Sequence, residues 1–212
     1  MPEKLDEQYR KAALAVAGAV REGRYRSLFF ASATRGQGTT STVLQIAREL
    51  KHTCGLNPLV VEFNRSNPAL AGMFGLNPAR SVAAVAAGTI KAEECVQQGP
   101  GGLALLPMGD FATLNSTGQK LQAVAEKVRQ ELESRYDVML WDAPPLLEQA
   151  DAFALAGSVP RIVLVVEAGR SRYEVLDHVK TELAQANIEL LGSVLVKQKR
   201  LIPGWLYRLL VQ

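Results

Sequence analysis

The chain has 212 residues, 48% of them hydrophobic and 21% charged, with a net charge of +3. This length and composition suit one soluble domain with a substantial core, and no apolar run approaches the roughly 18 residues that cross a bilayer. Lys197, Lys199, Arg200 and Arg208 crowd into residues 197–212 with no acidic neighbour. The rest of the chain is therefore close to neutral, which argues against a broad nucleic-acid-binding face.

The start of the chain is charged first and weakly apolar later, without the basic-then-apolar order of a secretion signal. Residues 5–22 are predicted as a helix, and SLFFAS (27–32) as a strand. SATRGQGTTSTV (32–43) then sets a glycine loop before a helix, with Val43, Ile46, Ala47 and Leu50 at helical spacing and Gly55 as its stop. PLVVEF (58–63) is the next strand, and residues 64–81, with Pro68 and Pro78, read as a loop. Two short helices are expected over 82–90 and 91–98, then a strand over 103–107 and an amphipathic helix over 117–135. DVMLWDAPP (137–145) reads as a buried strand ending in Asp142. A helix (148–157), a strand (161–169), a helix (171–186) and a last strand (189–197) complete the pattern.

Strands alternate with helices, and the strands are continuous apolar runs, so both their faces are covered. This predicts an α/β fold over 1–212: one domain with a doubly wound, mostly parallel sheet of about six to eight strands. Ligands of such sheets sit at the carboxyl ends of the strands. The loop after Ser32, the EFN stretch after Val61, and Asp142 converge there. Cys54 and Cys95 have no metal-type spacing and read as structural thiols. His52 and His178 have no Cys or His partner and are not expected to be ligands.

A phosphate-binding loop needs inward-facing N–H groups, glycines that permit the turn, and a helix N-terminus aimed at the anion. Gly36 and Gly38 supply the glycines, and Thr40 stands where a Mg²⁺-binding hydroxyl belongs. A strict Walker A loop also wants glycine at Ala33 and lysine at Thr39, and both are absent. Alone, the loop also fits an ordinary strand-turn-helix. Asp142, after the apolar run Val138–Trp141, matches a Walker B aspartate that reaches Mg²⁺. The plain alternative is a turn or capping aspartate.

The order of glycine loop, VVEFNRSNP, YDVMLWDAPPLLEQADA and RIVLVVEAGRSRYEVLDHV resembles the cytoplasmic domain of bacterial tyrosine kinases. These belong to the larger MinD/ParA-like group of P-loop ATPases. The resemblance spans nearly the whole chain and is most specific from Tyr136 to Ala152. It implies ATP or ADP with Mg²⁺ as cofactor. Arg35, Gly36, Gln37, Gly38, Thr39, Thr40 and Ser41, with Glu62 and Asn64, would surround the nucleotide. Thr40 and Asp142 would hold the metal, with Asp142 the catalytic candidate in an active enzyme.

The same alignment of motifs exposes departures. The family's loop lysine falls on Thr39. Its Asp-x-Asp followed by arginine appears as Glu62, Asn64 and Ser66, although Pro68 matches. Its N-terminal Glu-x-x-Arg-x-x-Arg, tied to ring assembly, appears as Glu7, Arg10 and Ala13. The asparagine that touches adenine would fall near Val196, and of the tyrosines near the carboxyl end only Tyr207 is present. A missing unit charge at about 4 Å and an effective dielectric near 20 is worth about 4 kcal/mol, roughly three orders of magnitude in rate. Arg35 is a candidate to compensate on a phosphate; otherwise it is an exposed loop arginine.

These departures point to a degenerate member, a pseudokinase or pseudo-ATPase. The resemblance implies a regulatory or scaffolding role in exopolysaccharide or capsule biosynthesis and export. Its partner would be an inner-membrane polysaccharide co-polymerase or chain-length protein, met at the cytoplasmic face of the membrane, with a homo-oligomer also implied. Two alternatives stand: an active tyrosine kinase or ATPase with an atypical Walker A loop, and a MinD/ParA-like nucleotide switch. The basic stretch 197–212 has two readings, a peripheral contact with membrane or partner and a last helix packed on the body.

Overall fold

The computed structural model describes residues 2–110, 118–149, 152–159 and 161–197. Seven strands form one sheet in the order β3-β4-β2-β5-β1-β6-β7. They are β1 (Ser27–Ser32), β2 (Pro58–Glu62), β3 (Gln97–Gln98), β4 (Ala104–Leu106), β5 (Val138–Asp142), β6 (Arg161–Glu167) and β7 (Glu189–Val196). All neighbours pair in parallel except β3, which runs antiparallel to β4. The expected α/β architecture of a mostly parallel sheet flanked by helices is therefore present.

Alternation along each strand sends successive side chains to opposite faces. Leu28, Phe30, Val60, Val138 and Leu140 pack on one face against Tyr9, Ala13, Val43, Ile46 and Leu50. These partners come from α1 (Pro2–Arg21) and α2 (Thr39–His52). Phe29, Leu59, Val61, Met139 and Trp141 pack on the other face with Leu121, Val128, Leu132, Val179 and Leu183. Those partners belong to α6 (Gly118–Leu132) and α8 (Tyr173–Gln185). Trp141 is fully buried and stacks on Phe29. Burial on both faces is why the strand sequences are apolar without alternating. Cys54 and Cys95 are both buried free thiols, and burial pushes both above the ordinary thiol range.

Three expectations need correction. The predicted loop 64–81 contains α3 (Leu70–Phe74), because the Glu62 carboxylate accepts the N–H groups that open it. The predicted helices over 82–98 shorten to α4 (Val82–Ala86) and α5 (Ala92–Cys95), and Gln97–Gln98 instead pairs with β4. The helix expected over 148–157 is described only as α7 (Ala152–Ala156). Pro144 and Pro145 hold the preceding chain extended, and the Leu146 and Leu147 N–H groups bond to the Ser32 and Ala33 carbonyls at 2.9 and 3.1 Å. Residue Asp151 and positions 198–212, including both readings of the basic stretch beyond Lys197, lie outside the described residues.

Candidate nucleotide and metal site

The period of the strands decides which polar residues meet. In β5, Val138 and Leu140 face α2, so Asp142, two further on, faces it too. The same parity puts Glu62 of β2 and Ser32 of β1 on that face. Register sets Asp142 beside Glu62 on one side and Phe30 on the other. The helix on this face, α2, opens with Thr39 and Thr40. Four features separated in sequence thus come together at the carboxyl edge of the sheet.

The loop between β1 and α2 is built as a phosphate loop would be. Gly36 and Gly38 have φ of 77° and 87°, a left-handed conformation open to glycine at little cost. Thr42 anchors the first helical turn, its hydroxyl and N–H donating to the Gly38 carbonyl at 2.8 and 2.9 Å. The buried Gln37 side chain donates to the Thr34 hydroxyl at 2.9 Å, and the Ser32 hydroxyl donates to the Thr34 carbonyl at 2.8 Å. Gln37 therefore braces the loop from within. Arg35, Gly36, Gly38, Thr39, Thr40, Ser41 and Asn64 line one open cleft of about 420 Å³.

Asp142 is the electrostatic centre. It is buried, and neither carboxyl oxygen has a hydrogen-bond partner of full geometry among the described residues. Burial pushes its pKa up to about 7; the nearby Thr40 hydroxyl opposes that shift, and the Glu62 charge adds to it. A buried carboxyl with so weak a hold from Thr40 calls for an explanation. A divalent cation beside Thr40 supplies one, since oxygen donors suit Mg²⁺. The residues present therefore fit a Mg²⁺–phosphate group.

Two candidates are engaged by partners of their own. Glu62 does not line the cleft: its Oε1 accepts from the Ala69 and Leu70 N–H groups, and its Oε2 from Met108 N–H at 2.9 Å. The carboxylate is a buried anchor for two chain segments. Arg35 is turned to Glu148, which accepts from its N–H at 2.8 Å and pairs with its Nε at 3.0 Å. Its guanidinium is thus paired with Glu148 while the residue lines the cleft. Asn64 stays at the cleft but is tied to Ser66 and Gln149, with Ser66 donating to it at 3.1 Å.

Other residues near the site escaped sequence reasoning. Lys197, at the end of β7, donates to the Gly36 carbonyl at 2.9 Å. Arg170 lies against Gly36 and pairs with Glu167 at 3.2 Å. The available signal was topological: β6 and β7 end at the same edge as β1. In the N-terminal motif, Arg10 pairs with Glu49 of α2 at 3.4 Å, and Glu7 with Lys11 at 2.8 Å.

No family model matches the chain. Its homologues are bacterial tyrosine-protein kinases. YwqD of Bacillus subtilis is 25% identical over 210 residues, spanning 93% of this chain and 84% of that one. The solved kinase domain of VpsO is 25% identical with a TM-score of 0.75, over 93% of this chain and 98% of that domain. Cobyrinic acid a,c-diamide synthase from Mycobacterium smegmatis, solved with ADP and magnesium, shares the fold at a TM-score of 0.63 and 21% identity. That match covers 80% of this chain and 74% of the synthase.

Proposed function

We propose that this chain is a nucleotide-holding relative of bacterial tyrosine kinases in which phosphoryl transfer is impaired. It acts as a regulatory or scaffolding partner in exopolysaccharide or capsule assembly. The observation that carries the reading is Thr39 at the lysine position of a loop that still sets Thr40 beside the buried Asp142. Gly36 and Gly38 leave backbone room for an anion at the head of α2. Thr40 and Asp142 would hold Mg²⁺, which neutralises phosphate charge when bound. Thr39 donates a hydrogen bond but no charge, so the loop binds better than it catalyses.

The pathway and the polysaccharide co-polymerase partner rest on resemblance to the kinases. So does placement at the cytoplasmic face of the membrane. Among the described residues, no helix is long and apolar enough to cross a membrane. A second reading, an active kinase or ATPase with an atypical loop, draws support from the ammonium of Lys197 at the loop.

Incubation with ATP and Mg²⁺ is expected to give no tyrosine autophosphorylation on an anti-phosphotyrosine blot. Strong phosphotyrosine that disappears in Thr40→Ala would overturn the impaired reading in favour of the active enzyme. Arg35→Ala is expected to leave nucleotide affinity unchanged and to shift stability by less than about 1 kcal/mol, because its ion pair is exposed. Titration calorimetry and thermal melts of that variant check both statements. A large loss of affinity would mean that Arg35 leaves Glu148 for the ligand.

A further inference from the structure

Thr39 leaves the loop without the lysine of a Walker A motif, and Arg35 is paired with Glu148, yet a lysine reaches the loop from the last strand. Lys197 Nζ lies 2.9 Å from the Gly36 carbonyl oxygen and 3.3 Å from a Glu167 carboxylate oxygen. Its Cε stands 3.9 Å from where a Cβ on Gly38 would be. Lys197 also lines the same cleft as Thr39 and Thr40. An ammonium has three donors, and these two partners engage two of them.

The backbone at Lys197 is unusual as well. Its φ is 55°, a left-handed conformation that side-chain-bearing residues seldom adopt and that clusters at functional positions. The chain takes this turn as it leaves β7, beside the loop that lacks a lysine. Glu167, whose side chain is mostly buried, pairs with both Lys197 and Arg170. It holds the two basic groups at the rim of the glycine loop.

We infer that Lys197 supplies, from the end of β7, the phosphate-binding cation that Thr39 does not. Its ligand is the phosphate chain of a nucleoside triphosphate, and Glu167 is the residue that positions it. This rests on the reading that the loop holds phosphate. An ammonium now shared between a carbonyl and a carboxylate turns to a phosphate oxygen when the anion arrives. The charge is restored from a different strand, so it tightens binding without reproducing the geometry of a loop lysine.

Equilibrium dialysis of the full chain with labelled ATP in Mg²⁺ tests this, with adenosine as the phosphate-free control. Lys197→Met is expected to weaken ATP about tenfold or more and to leave adenosine binding and the melting temperature unchanged. Lys197→Arg should retain most of the affinity, because it keeps the charge. Thr39→Lys combined with Lys197→Met should regain the lost affinity. Wild-type binding with Lys197→Met within about twofold would overturn the assignment while leaving the loop reading intact. Parallel loss of adenosine binding or of melting temperature would make Lys197 structural and also overturn it. Failure of the wild type to bind ATP at all would overturn both the assignment and the loop reading.

Discussion

At pH 8 the Asp142→Asn protein is expected to melt well above the wild type, with the difference disappearing near pH 4. Asp142 has a folded pKa of about 7 against an ordinary value of 3.8, chiefly because it is buried. A group whose pKa is raised on folding contributes stability below its unfolded value and loses it as pH rises through the folded value. Between about pH 4 and 7 the folded wild type binds more protons than the unfolded chain, so its stability falls with rising pH. At about 1.4 kcal/mol per unit, the full loss is about 4 kcal/mol, or roughly 10 °C for a domain of this size. Asparagine carries no charge and does not share this loss. Thermal melts from pH 4 to 8 check it; equal slopes for the two proteins would show that Asp142 is not a strained buried carboxyl. A cation at Asp142 must displace the proton below pH 7, so Mg²⁺ affinity should climb as pH approaches 7 and then level off.

Glu62→Ala is expected to lose about 3–5 kcal/mol of stability. The carboxylate accepts three backbone N–H groups, from Ala69, Leu70 and Met108. Each loses its acceptor in the variant, in an interior where water does not replace it. Glu62→Asp is the informative control. Its carboxylate sits one methylene shorter and does not span the start of α3 and the chain after β4 together, so an intermediate loss is expected. Either substitution should also affect the ligand loop indirectly, because Asn64 and Ser66 follow Glu62 at the cleft. Chemical denaturation of both variants measures the losses. A Glu62→Ala protein as stable as wild type would mean that this carboxylate is not the anchor of the β2 edge.

The central strands were legible because burial on both faces leaves an unbroken apolar signature, whereas β3, the polar pair Gln97–Gln98, was not; Asp142 was legible because it ends one of the apolar runs. The glycine loop was legible because Gly36 and Gly38 mark a turn that few other residues make. Glu62 was legible as a site residue but not in its role. Its partners are backbone N–H groups, which have no sequence signature. Arg35 was legible as an exposed loop arginine but its ion pair was not, since its partner Glu148 lies 113 residues away. Lys197 was hidden by composition: beside Lys199 and Arg200 it looks like part of a basic stretch. Only the position of β7 in the sheet brings it to the loop.

The most direct test is calorimetric titration of the purified protein with ADP at pH 8, with and without Mg²⁺. The geometry of Thr40, Asp142 and the glycine loop predicts binding that requires Mg²⁺ and is lost in Asp142→Asn. No detectable heat at millimolar ADP, or equal binding without the metal, would contradict it and leave the loop as a turn that shapes the fold.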